Sequence, residues 1–236
     1  MDFSTSATAV KVNLSSTVST ILLSKEVSSN LDVQTSVGEG TDKLYDIQDV
    51  IGTSGQDTLV GDSGVNSLRG GADKDILIGN AGADILMGEG GDDTIFGGLD
   101  GDNIYGGTTT ADSGNDTVDY SYIIDTKAVD VDLGRTNNQE IFQIGTATNY
   151  DHVVNIENIV ATKNADIIKG SDDFNITNIL DGYKGNDTFY SSKGTDSFIG
   201  GLGIDTLDFS SVDLGNGGNR VIVDLGLQKV SDDWVS

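Results

Sequence analysis

The 236-residue chain contains no cysteine and no proline, and only 13 lysine and arginine residues face 38 aspartate and glutamate residues. Without cysteine the chain can form neither disulfides nor thiolate metal sites, and thiol catalysis is excluded. The formal net charge of −25 excludes nucleic acid and anionic lipid as natural partners. No apolar run approaches the roughly 20 residues of a membrane-spanning helix. The bare chain repels itself, so we expect order to depend on neutralisation of its carboxylates.

Glycine, in contrast, is abundant, with 32 residues, and much of it recurs in a nine-residue period. Five residues after each periodic glycine comes an acid or amide, and two residues later comes leucine or isoleucine. A single Asp-Gly pair would indicate an ordinary turn, but six units in phase predict a stacked solenoid. The glycines are Gly52, Gly61, Gly70, Gly79, Gly88 and Gly97, and the acids or amides are Asp57, Asn66, Asp75, Asp84, Asp93 and Asp102.

The period occurs in two tracts. The first runs from about Gly52 to Asp119, and an insertion near Thr108–Asp112 precedes its last acid, Asp116. The second runs from about Ala161 to Asp208 and has one insertion of three residues. Its acid or amide positions are Asp166, Asn178, Asp187, Asp196 and Asp205.

A longer repeat lies above these units. Asp2-Phe3-Ser4 recurs at 119–121 and 208–210, and the alternating run Val129–Leu133 has counterparts at 10–14 and 221–225. Alternation with period two predicts half-buried strands. We therefore expect spacer β segments at 1–50 and 120–160, β-rolls at 51–119 and 161–209, and a truncated third module at 210–236. This arrangement indicates a fragment of a longer repetitive polypeptide; the alternative is a natural terminus that caps the stack.

Each unit reads as a six-residue turn followed by a three-residue strand. Glycine at the first and fourth positions is expected to let the turn curl with its carbonyls inward, and the acid at the sixth position adds a carboxylate. The apolar residue at the eighth position points into the coil. Two units complete one circuit, which aligns Asp57, Asp75, Asp93 and Asp116 on one side and Asn66, Asp84 and Asp102 on the other. Stacked carboxylates need a cation, and an oxygen-only site favours Ca²⁺ over Mg²⁺ or nitrogen- and sulfur-seeking metals.

The unit resembles the RTX, or haemolysin-type, calcium-binding repeat G-G-x-G-x-D-x-U-x. The resemblance implies an all-β fold in which parallel β-roll stacks are separated by β-strand spacer segments, with calcium between stacked turns. One turn would supply its second and fourth carbonyls and its Asp, and the turn one circuit later its first and third carbonyls and its Asp. The implied sites are Gly71, Asp73 and Asp75 with Gly88, Gly90 and Asp93; Asn80, Gly82 and Asp84 with Gly97, Leu99 and Asp102; and Tyr183, Gly185 and Asp187 with Gly200, Leu202 and Asp205.

Other turn residues are candidate metal ligands from the same pattern. Asn66 and Asn178 replace aspartate, which lowers the charge of any site they join, and the start of the second tract lacks several glycines. The additional candidates are Asp57, Asn66, Gly91, Asp116, Asp166, Asn178 and Asp196.

The interior offers one apolar side chain per nine residues, which is small against a backbone entropy cost of roughly 1–2 kcal/mol per residue. We therefore expect folding to be coupled to binding of several calcium ions, with affinity of about 10⁻⁴–10⁻³ M. Such a switch suits export of an unfolded chain, as in type I secretion. It implies a secreted, extracellular and cell-surface location.

Three functions remain open. The first is a structural segment of a large secreted bacterial RTX protein, either a surface adhesin or an S-layer protein. The second is a C-terminal calcium-dependent export and folding module of a secreted toxin or extracellular enzyme. The third is a carbohydrate-binding module, ranked last because aromatic and basic residues are sparse. The partners that we consider besides calcium are a second copy of the chain and cell-surface polysaccharide; membrane insertion is not expected.

No catalytic motif appears, and we interpret the chain as non-enzymatic. His152, the single histidine, is expected in a surface loop. Apolar residues at outward positions suggest that spacer strands cover the sheets, although scattered surface apolar residues are the alternative. These outward residues are Ile76, Ile78 and Phe96 on one sheet and Ile85, Met87 and Tyr105 on the other.

Overall fold

The structure is a computed structural model, which describes residues 11–14, 35–37, 41–43, 46–107, 114–123, 128–134, 139–144, 150–173 and 175–210. Within these ranges the chain forms β-strands and turns, and twenty strands make two ten-stranded sheets. The all-β prediction is confirmed. The third module from 211 onward, the insertion at 108–112 and the Asp2-Phe3-Ser4 motif lie outside the described residues.

Successive strands of each tract belong alternately to one sheet and to the other. The first contains β1 (Lys11–Asn13), β2 (Thr35–Val37), β3 (Thr41–Lys43), β5 (Thr58–Val60), β7 (Ile76–Ala81), β9 (Thr94–Leu99), β11 (Thr117–Asp119), β15 (Asn158–Val160), β17 (Ile179–Asp181) and β19 (Ser197–Ile199). The second contains β4 (Asp49–Ile51), β6 (Ser67–Gly71), β8 (Ile85–Glu89), β10 (Asn103–Gly107), β12 (Ala128–Asp132), β13 (Gln139–Ile144), β14 (Tyr150–Val154), β16 (Ile167–Lys169), β18 (Thr188–Tyr190) and β20 (Thr206–Asp208).

Strands within the first tract stack in parallel on the strand one circuit away. Leu59 of β5 pairs with Leu77 of β7, which pairs with Ile95 of β9. In the second sheet, Leu68 of β6 pairs with Leu86 of β8 in the same register. Alternate units therefore build opposite sheets, as the two-unit circuit requires. The prediction of a parallel β-roll is confirmed.

The core is a column of apolar side chains between the sheets. The eighth-position residues Leu59, Leu77 and Ile95 are 0% exposed, as are Leu68 and Leu86 from the opposite sheet. Because side chains alternate along a strand, the seventh and ninth residues point away from this column. One inward side chain per strand thus suffices to seal the interior of the coil.

Spacer strands continue both sheets from one tract to the next. The order of the first sheet is β19-β17-β15-β11-β9-β7-β5-β1-β2-β3, and that of the second is β20-β18-β16-β12-β13-β14-β10-β8-β6-β4. Strands β14 and β15 stack in parallel on β10 and β11, the last strands of the first tract. Strand β12 then lies in parallel on β16 and antiparallel to β13. The division into five segments remains a prediction, but hydrogen-bonded sheets run through the spacer at 120–160.

The outer faces of the two sheets differ. On the first sheet Ile78 is 0% and Phe96 3% exposed, and the Tyr122 ring packs edge-on against Phe96 with centroids 5.6 Å apart. Tyr122 follows β11 and lies outside any strand, so the residue described on this face is not from a spacer strand. On the second sheet Ile85 is 37% exposed. Phe96 is therefore covered, but by a turn residue and not by a spacer strand as predicted, and Ile85 is partly exposed.

Adjacent positions of β8 test this assignment of inside and outside. We expect Leu86→Ala to lower the free energy of unfolding in calcium by about 2–5 kcal/mol, because it leaves a cavity in the central column. Ile85→Ala, one residue away and facing outward, should change it by about 0.5 kcal/mol. Urea denaturation followed by circular dichroism measures both, and equal losses would contradict the assignment.

Candidate metal centre

The sixth-position acids form a hydrogen-bonded ladder along each side of the coil. One carboxylate oxygen, Oδ1, accepts the backbone N–H of the sixth residue one circuit earlier. The Asp57 amide donates to Asp75 at 2.7 Å, and the Asp75 amide donates to Asp93 at 2.8 Å. On the other side the Asn66 amide donates to Asp84, and the Asp84 amide to Asp102, each at 2.8 Å. The predicted alignment of acids is thus built into the backbone.

Two spacer residues that lie outside the nonapeptide pattern extend this ladder. Asp151 Oδ1 accepts the Asp102 amide at 3.0 Å, and Glu157 Oε2 accepts the Asp116 amide at 2.8 Å. Each has an apolar residue two positions later, which is the spacing of the repeat. Neither is preceded by glycine five residues earlier, so the complete motif is missing. The acid-to-apolar spacing alone could have found them.

The second carboxylate oxygen, Oδ2, has a different environment. In Asp75, Asp84, Asp102 and Asp187 this atom is buried and has no hydrogen-bond partner. Burial raises the pKa of Asp75 to about 8, that of Asp84 to about 7, that of Asp102 to about 9 and that of Asp187 to about 7. At neutral pH, burial therefore keeps Asp75 and Asp102 largely protonated and Asp84 and Asp187 partly protonated unless a cation compensates their charge.

The first-position glycine leaves a space into which oxygen atoms converge. A methyl group built on Gly79 would lie 2.4 Å from Asp84 Oδ2 and 2.4 Å from the carbonyl oxygen of Gly97, one circuit later. A methyl group on Gly182 would lie 2.3 Å from Asp187 Oδ2 and 2.9 Å from the Gly200 carbonyl oxygen. Any side chain at this position would displace these oxygen atoms, and glycine is therefore required there.

The curl of the turn comes from the second and fourth positions. We expected glycine at the first and fourth positions to shape the turn. This was wrong for the first position, because the left-handed φ angles occur at the second and fourth positions. Non-glycine residues adopt them too: φ is 79° at both Asn80 and Glu89 and 60° at Tyr183. We call a turn open when both positions are left-handed. The open turns are 70–75, 79–84, 88–93, 97–102, 182–187 and 200–205.

Carbonyl groups of the open turns point along the stack toward the next open turn. A methyl group on Gly98 would lie 1.7 Å from the Asn80 carbonyl oxygen, and one on Gly203 would lie 1.4 Å from that of Gly185. Some predicted carbonyl ligands also accept backbone hydrogen bonds. The Gly71 carbonyl accepts from Gly90 at 2.9 Å, the Tyr183 carbonyl from Leu202 at 3.2 Å, and the Leu202 carbonyl from Gly185 at 2.8 Å.

Four other turns are closed by their own side chains. In each of them the backbone N–H of the fourth residue donates to a side-chain oxygen of the second residue; in the longer 170–178 turn an equivalent N–H does so. The backbone N–H of the second residue donates in turn to the side chain of the sixth-position acid or amide. We call them closed turns, and they hold four predicted metal ligands. They are 52–57 with Asp57, 61–66 with Asn66, 161–166 with Asp166 and 170–178 with Asn178.

Two further predicted ligands fall in neither class. In the turn 191–196, the Ser192 hydroxyl donates to Asp196 Oδ2 at 2.6 Å, and only Gly194 is left-handed. Asp116 is 1% exposed and its Oδ1 accepts the Asp93 amide, but its turn includes residues that are not described.

Three stacked pairs of turns are open on both levels, and they coincide with the three sites implied by the sequence. The pairs are 70–75 with 88–93, 79–84 with 97–102, and 182–187 with 200–205. Each brings together two carboxylates, and in the described part of the chain no cluster of three or more acidic or histidine side chains could hold a metal. Any ion would take its remaining ligands from backbone carbonyls. Such an all-oxygen set fits a hard cation such as calcium.

His152 does not lie in a loop as expected. It is part of strand β14, which pairs with β10, and its ring contacts the Tyr105 ring with centroids 6.4 Å apart. The neighbouring Asp151 is 0% exposed and its Oδ2 accepts a 2.7 Å hydrogen bond from the Tyr120 hydroxyl. The segment around His152 is thus a structural continuation of the stack.

Comparison with known protein families agrees with this geometry. The family model for the RTX calcium-binding nonapeptide repeat (4 copies) matches residues 51–86, 78–108 and 174–207. The chain carries RTX calcium-binding repeats. All six open turns lie inside the matched residues, whereas the closed turn 161–166 lies outside. The comparison with curated proteins found no match.

The RTX repeats are thus the calcium-binding part of this chain, and the residues of the open turns fit the ion. None of the described residues forms a helix of the length and apolar character that crossing a membrane requires.

Gly79 allows a direct test of the converging oxygens. We expect Gly79→Ala to raise the calcium concentration at the folding midpoint, because its methyl group would occupy the space beside Asp84 Oδ2. Gly64→Ala is the matched control, since its methyl group would meet only Asp62 Oδ1, at 3.3 Å. Calcium titrations followed by circular dichroism would contradict this role for Gly79 if both variants gave the wild-type midpoint.

The raised pKa values predict opposite effects of pH with and without calcium. In chelator, folding takes up protons, so stability is highest below the ordinary aspartate pKa of 3.8 and falls as pH rises through about 7 to 9. With calcium, protons compete with the ion, so the calcium midpoint should rise as pH falls from 9 to 6. Circular dichroism in chelator at pH 5 and pH 9, repeated in concentrated KCl to screen surface charge, checks the sign. A more ordered chelated protein at pH 9 would contradict it.

Proposed function

We propose that this chain is a calcium-binding structural segment of a large secreted bacterial RTX protein of the surface-adhesin or S-layer type. It folds when it meets calcium outside the cell. The observation that carries this proposal is the stacking of open turns, in which buried Oδ2 atoms of Asp75, Asp84, Asp102 and Asp187 have no hydrogen-bond partner. For Asp84 and Asp187, the carbonyl oxygen of the next open turn converges on the same space beside the first-position glycine.

Three calcium sites follow from the pairs of open turns. Bound calcium would supply positive charge to carboxylates whose charged form burial otherwise disfavours. The protein's part is to hold the carboxylates with one oxygen in the ladder and the other directed into the turn. The proposed ligand sets are Gly71, Asp73, Asp75, Gly88, Gly90 and Asp93; Asn80, Gly82, Asp84, Gly97, Leu99 and Asp102; and Tyr183, Gly185, Asp187, Gly200, Leu202 and Asp205.

Binding and folding are coupled because the ligands exist only in the stacked state. Two turns eighteen residues apart contribute to each site, and their register depends on the parallel pairing of the strands between them. The free energy of calcium binding is therefore part of the free energy of folding. At the low calcium level of a cytosol the open turns would stay unfolded, and at extracellular calcium of about 10⁻³ M they would fold.

The structural role is supported by how the acids are used. The ladder accounts for most of the buried acids of both tracts, and the described residues contain no group of three or more acidic or histidine side chains that could hold a metal. Both sheets extend over ten strands, a distance of about 43 Å at the usual strand spacing. A long element without a reaction centre serves as a spacer or a lattice unit. We therefore propose that the chain is non-enzymatic and is displayed at the cell surface.

Replacement of Asp84 or Asp187 by asparagine removes the proposed calcium ligand Oδ2 but keeps the hydrogen bond of the ladder. Asparagine keeps an oxygen for the ladder bond and puts an amide nitrogen, which does not bind calcium, in place of Oδ2. We expect Asp84→Asn and Asp187→Asn to weaken calcium binding on the order of tenfold, and the double variant to weaken it further. Isothermal titration calorimetry measures affinity and stoichiometry, while circular dichroism reports folding.

Asp92→Asn is the charge-matched control, because Asp92 occupies an open turn but its side chain is exposed. It should bind calcium as the wild type does. If the wild-type chain kept its β-type circular dichroism spectrum unchanged in excess chelator, the proposed function would be wrong. Small-angle scattering with and without calcium would show whether the folded chain is extended and whether it associates.

A further inference from the structure

The closed turns are not scattered through the repeats. In each tract they occupy the first turn on each side of the coil, 52–57 and 61–66 in the first tract and 161–166 and 170–178 in the second. Open turns begin one circuit later, at 70–75 and 182–187 respectively. Each tract thus starts with a circuit of a different kind from those that follow. We call this first circuit the closed circuit.

A threonine closes the first turn in both tracts in the same way. The Thr162 hydroxyl donates to Asp166 Oδ1 at 2.9 Å, and its amide donates to Asp166 Oδ2 at 2.8 Å. Thr53 places its hydroxyl 3.0 Å from Asp57 Oδ1 and its amide on Asp57 Oδ2. Thr162 is 0% exposed, so these bonds lie inside the coil. Hydrogen bonds from two donors stabilise the carboxylate where an open turn offers none.

The second turn of the closed circuit uses a related device. The Asp62 amide donates to Asn66 Oδ1 at 2.8 Å, and Asp62 Oδ1 accepts from Gly64 at 2.7 Å. In the second tract, the Ser171 amide donates to Asn178 Oδ1 at 2.7 Å. Asparagine brings no negative charge, so these turns need no cation either. The amides that break the acid pattern of the sequence therefore fall in the closed circuit.

The closed circuit of each tract is contacted by a spacer strand that comes earlier in the chain. Strand β1 pairs with β5, and β12 pairs with β16. Asp166 Oδ1 accepts the amide of Val129 in β12 at 2.7 Å. Lys169 places its ammonium group 2.9 Å from Asp172 and 3.4 Å from Asp132 at the end of β12, so a cation of the protein itself lies between these carboxylates.

We propose that the closed circuit at the start of each tract folds without calcium and serves as the template on which the calcium-binding circuits stack. Thr53 and Thr162 are the residues that make it independent of the ion. This inference rests on the proposed function only for the open turns, which need calcium. In a stacked repeat each unit is stabilised by its neighbour, so one preformed circuit lowers the cost of ordering the next.

Hydrogen–deuterium exchange of the whole chain, followed by mass spectrometry, separates the two kinds of circuit. In excess chelator we expect backbone amides of 50–69 and 158–181 to stay protected, while those of 85–105 and 188–208 exchange freely. In calcium all four segments should be protected. Equal exchange of all four segments in chelator would overturn the template. Failure of calcium to protect 85–105 and 188–208 would instead overturn the proposed function.

Substitution of the two threonines tests the residues themselves. Thr53→Val and Thr162→Val should abolish protection of the closed circuits in chelator and raise the calcium midpoint. Thr53→Ser and Thr162→Ser keep the hydroxyl and should restore both properties. Thr188→Val, at a half-buried position next to an open turn, is the matched control and should behave as the wild type. Chelator-resistant protection that survives in the valine variants, or that serine fails to restore, would overturn the role of the hydroxyls.

Discussion

The structure depends on how each buried sixth-position carboxylate is compensated. In the open turns its Oδ1 accepts a backbone amide of the preceding circuit, as Asp93 does from Asp75 and Asp187 does from Asp166. In the closed turn 161–166 the Asp166 Oδ1 accepts the amide of Val129 in the spacer strand β12. The partner of the second oxygen, Oδ2, depends on the turn in which the carboxylate lies. Because burial penalises the charged form, a donor or a cation has to meet that oxygen. The choice between the two divides the stack into closed and open circuits.

The same constraint explains how the first tract passes into the spacer. Asp151 continues the ladder above Asp102, but its Oδ2 accepts the Tyr120 hydroxyl, and Tyr120 is fully buried. A phenol thus does for Asp151 what the Thr162 hydroxyl does for Asp166. Burial and the neighbouring Asp151 carboxylate raise the pKa of Tyr120 well above its usual value, which keeps the phenol a donor. Protein hydroxyls thus serve the first turn of each tract and the passage into the spacer, and the Ser192 hydroxyl serves the turn 191–196 inside the second tract.

Much of the fold could be predicted from the sequence, because a strict period places acid and apolar residues at fixed phase. The two-unit circuit and the inward leucines follow from spacing, and the resemblance to the RTX repeat implied the three pairs of stacked turns. The left-handed φ angle at the second position could not be predicted, because Asn80, Glu89 and Tyr183 stand there and only glycine signals such a conformation clearly in a sequence. The role of Thr162 was equally hidden. Its hydroxyl reaches Asp166 only in a turn shape that the sequence does not reveal.

The placement of closed circuits bears on the direction in which order spreads. A carboxylate of an open turn shares its site with the turn one circuit away, so neither can bind calcium tightly until the other is in register. The closed turn 161–166 needs no such partner for its own hydrogen bonds, and β12 already lies against it. Its strand β16 then presents a fixed edge for β18, which carries the first open turn of that side into register. Calcium therefore meets a half-formed site, and the entropy cost of binding falls on one turn instead of two.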